Sequence, residues 1–213
     1  MIELSMNEVE TLSTKAARGS GFSWGLAEDI GKAARSLAAA ELPWQEALLA
    51  LLAYEGTRAS PIILARSDTS QIVSASGSDG PLCPVRTGAW LLDSGILQGE
   101  DSLEIEGLAL PIWLAASLVA AGSGRTMMLS WKGAEMRIAG NRLLGIGDEL
   151  LASSANAALV PCEVQIDQGT PKGRAWIDKS ILAALDTIAA KTYVPSSESS
   201  RAKGAGGSRT DNE

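Results

Sequence analysis

Thr126-Met-Met-Leu-Ser-Trp-Lys-Gly-Ala-Glu-Met-Arg-Ile-Ala-Gly-Asn-Arg-Leu-Leu-Gly-Ile146 constrains the architecture more than any other stretch of the chain. Three short apolar runs, 126–131, 135–138 and 142–146, are separated by Lys132-Gly-Ala134 and by Gly140-Asn141. Glycine admits backbone angles that other residues resist, and a connection this short returns the chain beside itself. The three runs therefore read as consecutive antiparallel strands.

Toward the N-terminus, Pro111 suits the first turn of a helix, where its missing amide proton costs nothing. That helix runs to about 121 and is closed by Gly122 and Gly124. The apolar run that contains it, 108–121, is shorter than the ~20 residues a bilayer span needs, so it reads as a buried helix. Residues 103–108 read as a strand, as do 62–65 and 71–75 after Pro61, with 76–81 a loop. Residues 83–92 fit strand or helix. Beyond the central stretch, 159–166 reads as a further strand and 167–173 as a loop. Asp178 then caps a last helix, with Ile181, Leu182, Leu185, Ile188 and Ala189 inward.

The first quarter of the chain is helical in pattern. Ser5 and Glu8 match a capping box, in which each side chain satisfies an orphan amide at a helix start. Met6, Val9, Leu12 and Ala16 come next at helical spacing, and Gly19 and Gly21 end the helix. Glu8, Thr11, Lys15 and Arg18 form a polar stripe beside that apolar one. The stripe reads either as a solvated face or as an anion clamp, with Lys15 and Arg18 as donors and Glu8 as carboxylate partner. Ser23 caps a second helix to about 40, with Trp24, Ala27, Ile30, Ala34 and Leu37 on its buried side. Trp24 is expected in the core or as a lid over the interhelical cleft. Glu28 and Lys32 stand at the spacing of a favourable ion pair. Gly25 and Gly31 each cost roughly 1 kcal/mol against alanine in a helix, which a close neighbour would explain. Pro43 opens a third helix, carried by Trp44, Ala47, Leu48 and Leu51 toward Gly56.

Helices first, then short strands with one helix between them, define an α+β fold with a mostly antiparallel sheet. The expected organisation is a single domain over 1–213. It comprises a three-helix unit (1–58), a strand-rich body with one buried helix (59–176), a helix (177–192) and an extended glycine-rich tail (193–213).

Composition bounds the chemistry. Apolar residues make up 46% of the 213, enough for a substantial core, and net charge is −7 with a pI near 4.8. A chain this acidic, with no basic cluster, is a poor nucleic-acid partner, and it has no polybasic amphipathic helix for a membrane surface. Glu3, Glu8 and Glu10 interrupt any secretory h-region, and two isolated cysteines suit a reducing compartment, so a cytoplasmic location is expected. There is no histidine, which removes histidine-based triads and histidine metal sites; no metal site is expected. No dinucleotide fingerprint or P-loop is present, and no cofactor is expected: Gly204-Ala-Gly-Gly207 lacks the helix after it that would hold a pyrophosphate. Ser200-Arg-Ala-Lys203 matches S-x-x-K only literally, because it runs into glycines rather than along a helix. Cys83 sits between Leu82 and Pro84 with no histidine to activate it, and Cys162 falls in a predicted strand as core. No reaction is named by the sequence. If there is one, a carboxylate is the available general base.

The tail has two readings. Pro195 ends any helix before it, and the residues after it are rich in Ser, Gly and charge, the composition of a solvated end. Alternatively, Tyr193 and Val194 anchor a site-forming segment; from Tyr193 onward the charges balance as Glu198, Asp211 and Glu213 against Arg201, Lys203 and Arg209.

Two segments resemble the ends of a bacterial domain-of-unknown-function family of about this length. One is Glu3-Leu-Ser-Met-Asn-Glu-Val-Glu10 with Lys15-Ala-Ala-Arg-Gly-Ser-Gly-Phe-Ser-Trp-Gly-Leu-Ala-Glu28. The other is Thr192-Tyr-Val-Pro-Ser-Ser-Glu-Ser-Ser-Arg201 with Gly204-Ala-Gly-Gly207 and Thr210-Asp-Asn-Glu213. The resemblance implies no activity, but it implies that the tail belongs to the domain. The expectation is that the ends meet. Lys15, Arg18, Trp24 and Glu28 then line one wall of a site for a small carboxylate- or phosphate-bearing metabolite, and Tyr193, Glu198, Arg201 and Asp211 line the other. The rival is a non-catalytic accessory subunit, in which small-residue helices dock onto a partner metabolic enzyme or a second copy.

Overall fold

In the computed structural model, residues 1–54, 61–66, 70–76, 80–163, 166 and 171–193 are described. The chain opens with a strand, β1 (Ile2–Ser5), that turns directly into helix α1 (Met6–Gly19). Helices α2 (Trp24–Ala39) and α3 (Trp44–Ala53) come next. Strands β2 (Ile62–Arg66) and β3 (Gln71–Ala75) lead to helix α4 (Pro84–Asp93). Beyond it lie β4 (Leu103–Ala109), helix α5 (Pro111–Ala120), and the meander β5 (Met127–Trp131), β6 (Ala134–Ala139) and β7 (Arg142–Gly147). The described chain closes with β8 (Ser154–Pro161), β9 (Arg174–Ile177), helix α6 (Lys179–Ala189) and a 3-10 turn, Ala190–Thr192.

The architecture is α+β. A seven-stranded sheet runs in the order β2-β3-β4-β8-β5-β6-β7, antiparallel throughout except for the parallel pair β3–β4. Trp131↔Ala134 and Ala139↔Arg142 close the two hairpins of the central stretch, with Gly133 and Gly140 at positive φ in the turns. β1 and β9 form a separate two-stranded sheet that brings the N-terminal residues beside the start of α6.

One face of the large sheet carries Val73, Leu103, Ile105, Leu129, Met136 and Ile138, all buried. α5 packs against this face and is buried almost all round, its Trp113 fully enclosed. The Trp113 indole N–H donates to the Ala47 carbonyl at 2.9 Å and ties α5 to α3. The other face has no helix over it among the described residues. Ile63, Leu144 and Ile146 are exposed there, and Met128 and Val160 half-buried.

Several expectations change in detail. Residues 83–92 resolve as a helix, with Pro84 at its first turn, so two helices rather than one interrupt the strands. The strand expected at 159–166 starts earlier, at Ser154, where Ala155, Ala157 and Ala158 pair with β4 and β5, and it ends at Pro161; residues 164 and 165 lie outside the described residues. Cys162 falls just past that strand and is half-buried rather than core. β1 and β9 give no signal in the sequence: each spans four residues, too short for alternation to register. Ser5 caps α1 as expected, whereas Ser23 makes no side-chain bond at the start of α2. Glu28 and Lys32 form no ion pair, and the ion pair of α2 is instead Arg35–Glu10, 3.0 Å, across to α1.

Candidate functional site

The capping box sets the start of α1. The Ser5 amide donates to Glu8 Oε2 at 2.7 Å, and the Glu8 amide donates to Ser5 Oγ at 3.3 Å. From this fixed start the apolar stripe of Met6, Val9, Ala16 and Ala17 turns inward. The polar stripe comes to lie along the edge where α1 meets α6. The two helices approach closely at Gly19, where a Cβ would stand 2.0 Å from the Ile188 carbonyl oxygen.

A groove of about 340 Å³ runs along that edge. Leu4, Leu12, Leu182 and Ala189 form its apolar floor, and Asn7, Glu8, Thr11, Lys15, Asp186 and Tyr193 its sides. Lys15 extends from α1 so that its ammonium lies 5.7 Å from the centre of the Tyr193 ring, just past the terminal 3-10 turn. The ring's negative face attracts the cation and holds it over the groove. One turn further along α1, the Arg18 guanidinium stacks 4.5 Å from the Trp24 ring and donates to the Phe22 carbonyl. Arg18 Nε is buried without a hydrogen-bond partner among the described residues.

Electrostatics grade the groove along its length. Glu8 is held below the usual glutamate range, first by the Ser5 amide and then by the Ser5 hydroxyl, so it is ionised near neutral pH. Lys15 stands seven residues later on the same helix, about 10 Å along the axis. Among the described residues the lining thus carries two carboxylates, Glu8 and Asp186, against one ammonium.

The structure brings Lys15 and Tyr193 together and pairs Arg18 with Trp24. Trp24 is 65% exposed, a cover on the surface rather than a core residue. Glu28 is exposed on α2, one turn beyond Trp24, and does not line the groove. Glu198, Arg201 and Asp211 lie outside the described residues. The sequence reading misses Leu4, Asn7 and Asp186. Leu182 is inward by its helical spacing, and Asp186 is the next turn on the same helix. What hides Asp186 is the angle between α1 and α6, which periodicity does not encode. Cys83 is buried, and burial raises its thiol above the ordinary value, the condition of an inert thiol.

Residues 4–79 match the model of a family described as "Protein of unknown function (DUF3726)". The match includes the whole first motif that carries the family resemblance, apart from Glu3. No curated protein matches. Among solved structures the chain is similar to the malate dehydrogenase from Pyrococcus horikoshii OT3, with TM-score 0.45, 8% identity, and 68% of this chain against 50% of that one covered. The malate dehydrogenase from Entamoeba histolytica gives 0.43, 8%, 68% and 49%. The chain spans about half the length of these enzymes. At that level of likeness neither bears on its chemistry. Among the described residues, no helix is long and apolar enough to cross a membrane.

Proposed function

We propose that the protein binds a small anionic metabolite, carboxylate- or phosphate-bearing, in the groove between α1 and the C-terminal end of the chain. Lys15 receives the anionic group. Arg18, Trp24 and Glu28 belong to the same wall as Lys15, and Glu198, Arg201 and Asp211, which lie outside the described residues, are the further candidates for the wall that carries Tyr193. The observation that carries this reading is the Lys15 ammonium poised over Tyr193 beside an apolar floor. A floor of leucines accepts an apolar body, and one charged donor orients it. The two carboxylates in the lining repel a multiply charged ligand, so the favoured ligand carries one negative charge on an apolar frame.

The test is thermal denaturation of the full chain against aliphatic and aromatic monocarboxylates and phosphate diesters, which carry one negative charge at neutral pH. A ligand at a hundred times its Kd stabilises by about 2.7 kcal/mol, a shift of several degrees. The expected outcome is such a shift with at least one compound. Lys15→Glu is expected to abolish it with ligand-free melting nearly unchanged, and Arg18→Ala to weaken it while also lowering the ligand-free Tm, because Arg18 donates to the Phe22 carbonyl and stacks on Trp24. A shift that survives Lys15→Glu overturns the reading.

A second reading is that of an accessory subunit docking onto a partner metabolic enzyme. The uncovered face of the large sheet favours it, since Ile63, Leu144 and Ile146 are apolar and exposed there. Substituting Leu144 and Ile146 by lysine separates the two readings: it breaks a complex that uses this face and leaves metabolite binding intact.

A further inference from the structure

On the other side of α1 lies a larger cleft, about 700 Å³, between the first turns of α1, the C-terminal half of α2, the end of α5 and the loop before β9. Its floor is apolar, with Met6, Ala39, Val119 and Ala120, and its rim is basic. Lys32 and Arg35 stand one turn apart on α2, and Lys172 faces them from the loop. The Lys172 amide donates to the Ala39 carbonyl at 3.3 Å, which pins that loop to the end of α2. Asn7 and Asn141 add neutral donors. Glu10 is the lone acid among the described residues of the lining, where three bases accompany it in a chain whose net charge is −7.

The ion pairs already present are weak enough to be displaced. Arg35–Glu10 at 3.0 Å and Lys172–Glu41 at 3.7 Å both join side chains that are a third or more exposed on at least one partner. Such pairs contribute little in water. Lys32 is exposed and makes no ion pair among the described residues. Two of the three bases are thus engaged only by exposed, exchangeable pairs and the third by none among the described residues, so all three are available to an incoming anion.

We propose that this cleft is a separate binding site for a multiply charged phosphate compound, with Lys32, Arg35 and Lys172 as its recognition residues. Arg35 offers a planar fork to two phosphate oxygens, and the lysines serve as point charges on the rest. A diphosphate concentrates its charge on one compact head that three cations can share. The remaining volume, within the usual range for small-molecule sites, takes the organic part of the ligand over the apolar floor. The site is distinct from the α1–α6 groove: only Asn7 borders both, and the groove's lining is net acidic where this one is net basic.

Isothermal titration of the full chain with inorganic pyrophosphate, at low and at high salt, tests the assignment. Binding is expected at low salt and is expected to weaken as salt rises. Lys32→Glu and Lys172→Glu are each expected to weaken it tenfold or more without lowering the ligand-free Tm, because both lysines are exposed. Lys15→Glu, on the other side of α1, is expected to leave it unchanged. Absence of pyrophosphate binding at millimolar concentration overturns the proposal, as does retention of full affinity by both Lys32→Glu and Lys172→Glu, or loss of affinity in Lys15→Glu.

Discussion

Ser5 and Glu8 show how much one pair of side chains decides. Their mutual bonds fix where α1 begins, and hence which residues of the polar stripe reach the groove. The Glu8 carboxyl is depressed in the folded chain relative to its ordinary value of 4.5. A depressed carboxylate contributes stability that is present above the unfolded pKa and is lost as pH falls through the folded one. Ser5→Ala is therefore expected to lower Tm at neutral pH. The gap from the unsubstituted protein is expected to narrow below pH 4.5 as Glu8 becomes protonated in both. Thermal melts across pH check this; a gap independent of pH would mean that the Ser5 hydroxyl acts only by accepting from the Glu8 amide and not by donating to the Glu8 carboxylate. Asp178, which caps α6, is depressed first by the Ser180 hydroxyl, donating at 2.5 Å, and then by the Ser180 amide, donating at 2.7 Å, and shares the sign.

Among the helices, Gly25 and Gly31 separate two causes that the sequence reading merges. A Cβ on Gly31 would meet Thr14 Oγ1 at 2.1 Å and the Glu10 carbonyl at 2.8 Å, so this glycine exists for the close approach of α1 and α2. Nothing lies within 4 Å of a Cβ on Gly25. Gly31→Ala is expected to destabilise by roughly 1–3 kcal/mol through overpacking. Gly25→Ala is expected to stabilise by up to about 1 kcal/mol through helix propensity. Denaturant melts of the two variants settle the contrast, and equal effects of the same sign would refute it. Elements with a strong period or a capping signal are legible in the sequence: α1 with its box, α6 with Asp178, the glycine-turned meander β5–β7, and β3 to the residue. α4 is ambiguous because its run of Val85, Trp90, Leu91 and Leu92 suits either period, and only packing against α5 selects the helix. Of the groove, Lys15 and Tyr193 are legible as a charged stripe and an anchoring aromatic. Leu4 and Asp186 are not, because they enter through the β1–β9 pairing and the α1–α6 crossing, both long-range events.

Taken as a whole, the molecule sorts its charge. Its surplus is acidic, yet one cleft is basic, and a second groove is graded from carboxylates to a lysine. Both recesses flank α1, the helix placed by the capping box and spanned by the family match over 4–79. The large sheet packs one face on α5 and leaves the other without a helix among the described residues. The functional reading stands or falls on whether the α1–α6 groove holds a small anion at Lys15. Native mass spectrometry of the protein gently purified from its own host decides it. The expected result is a folded chain carrying a small-mass adduct that is absent from the Lys15→Glu variant prepared the same way. A chain with no such adduct and a stoichiometric second polypeptide would refute the anion site.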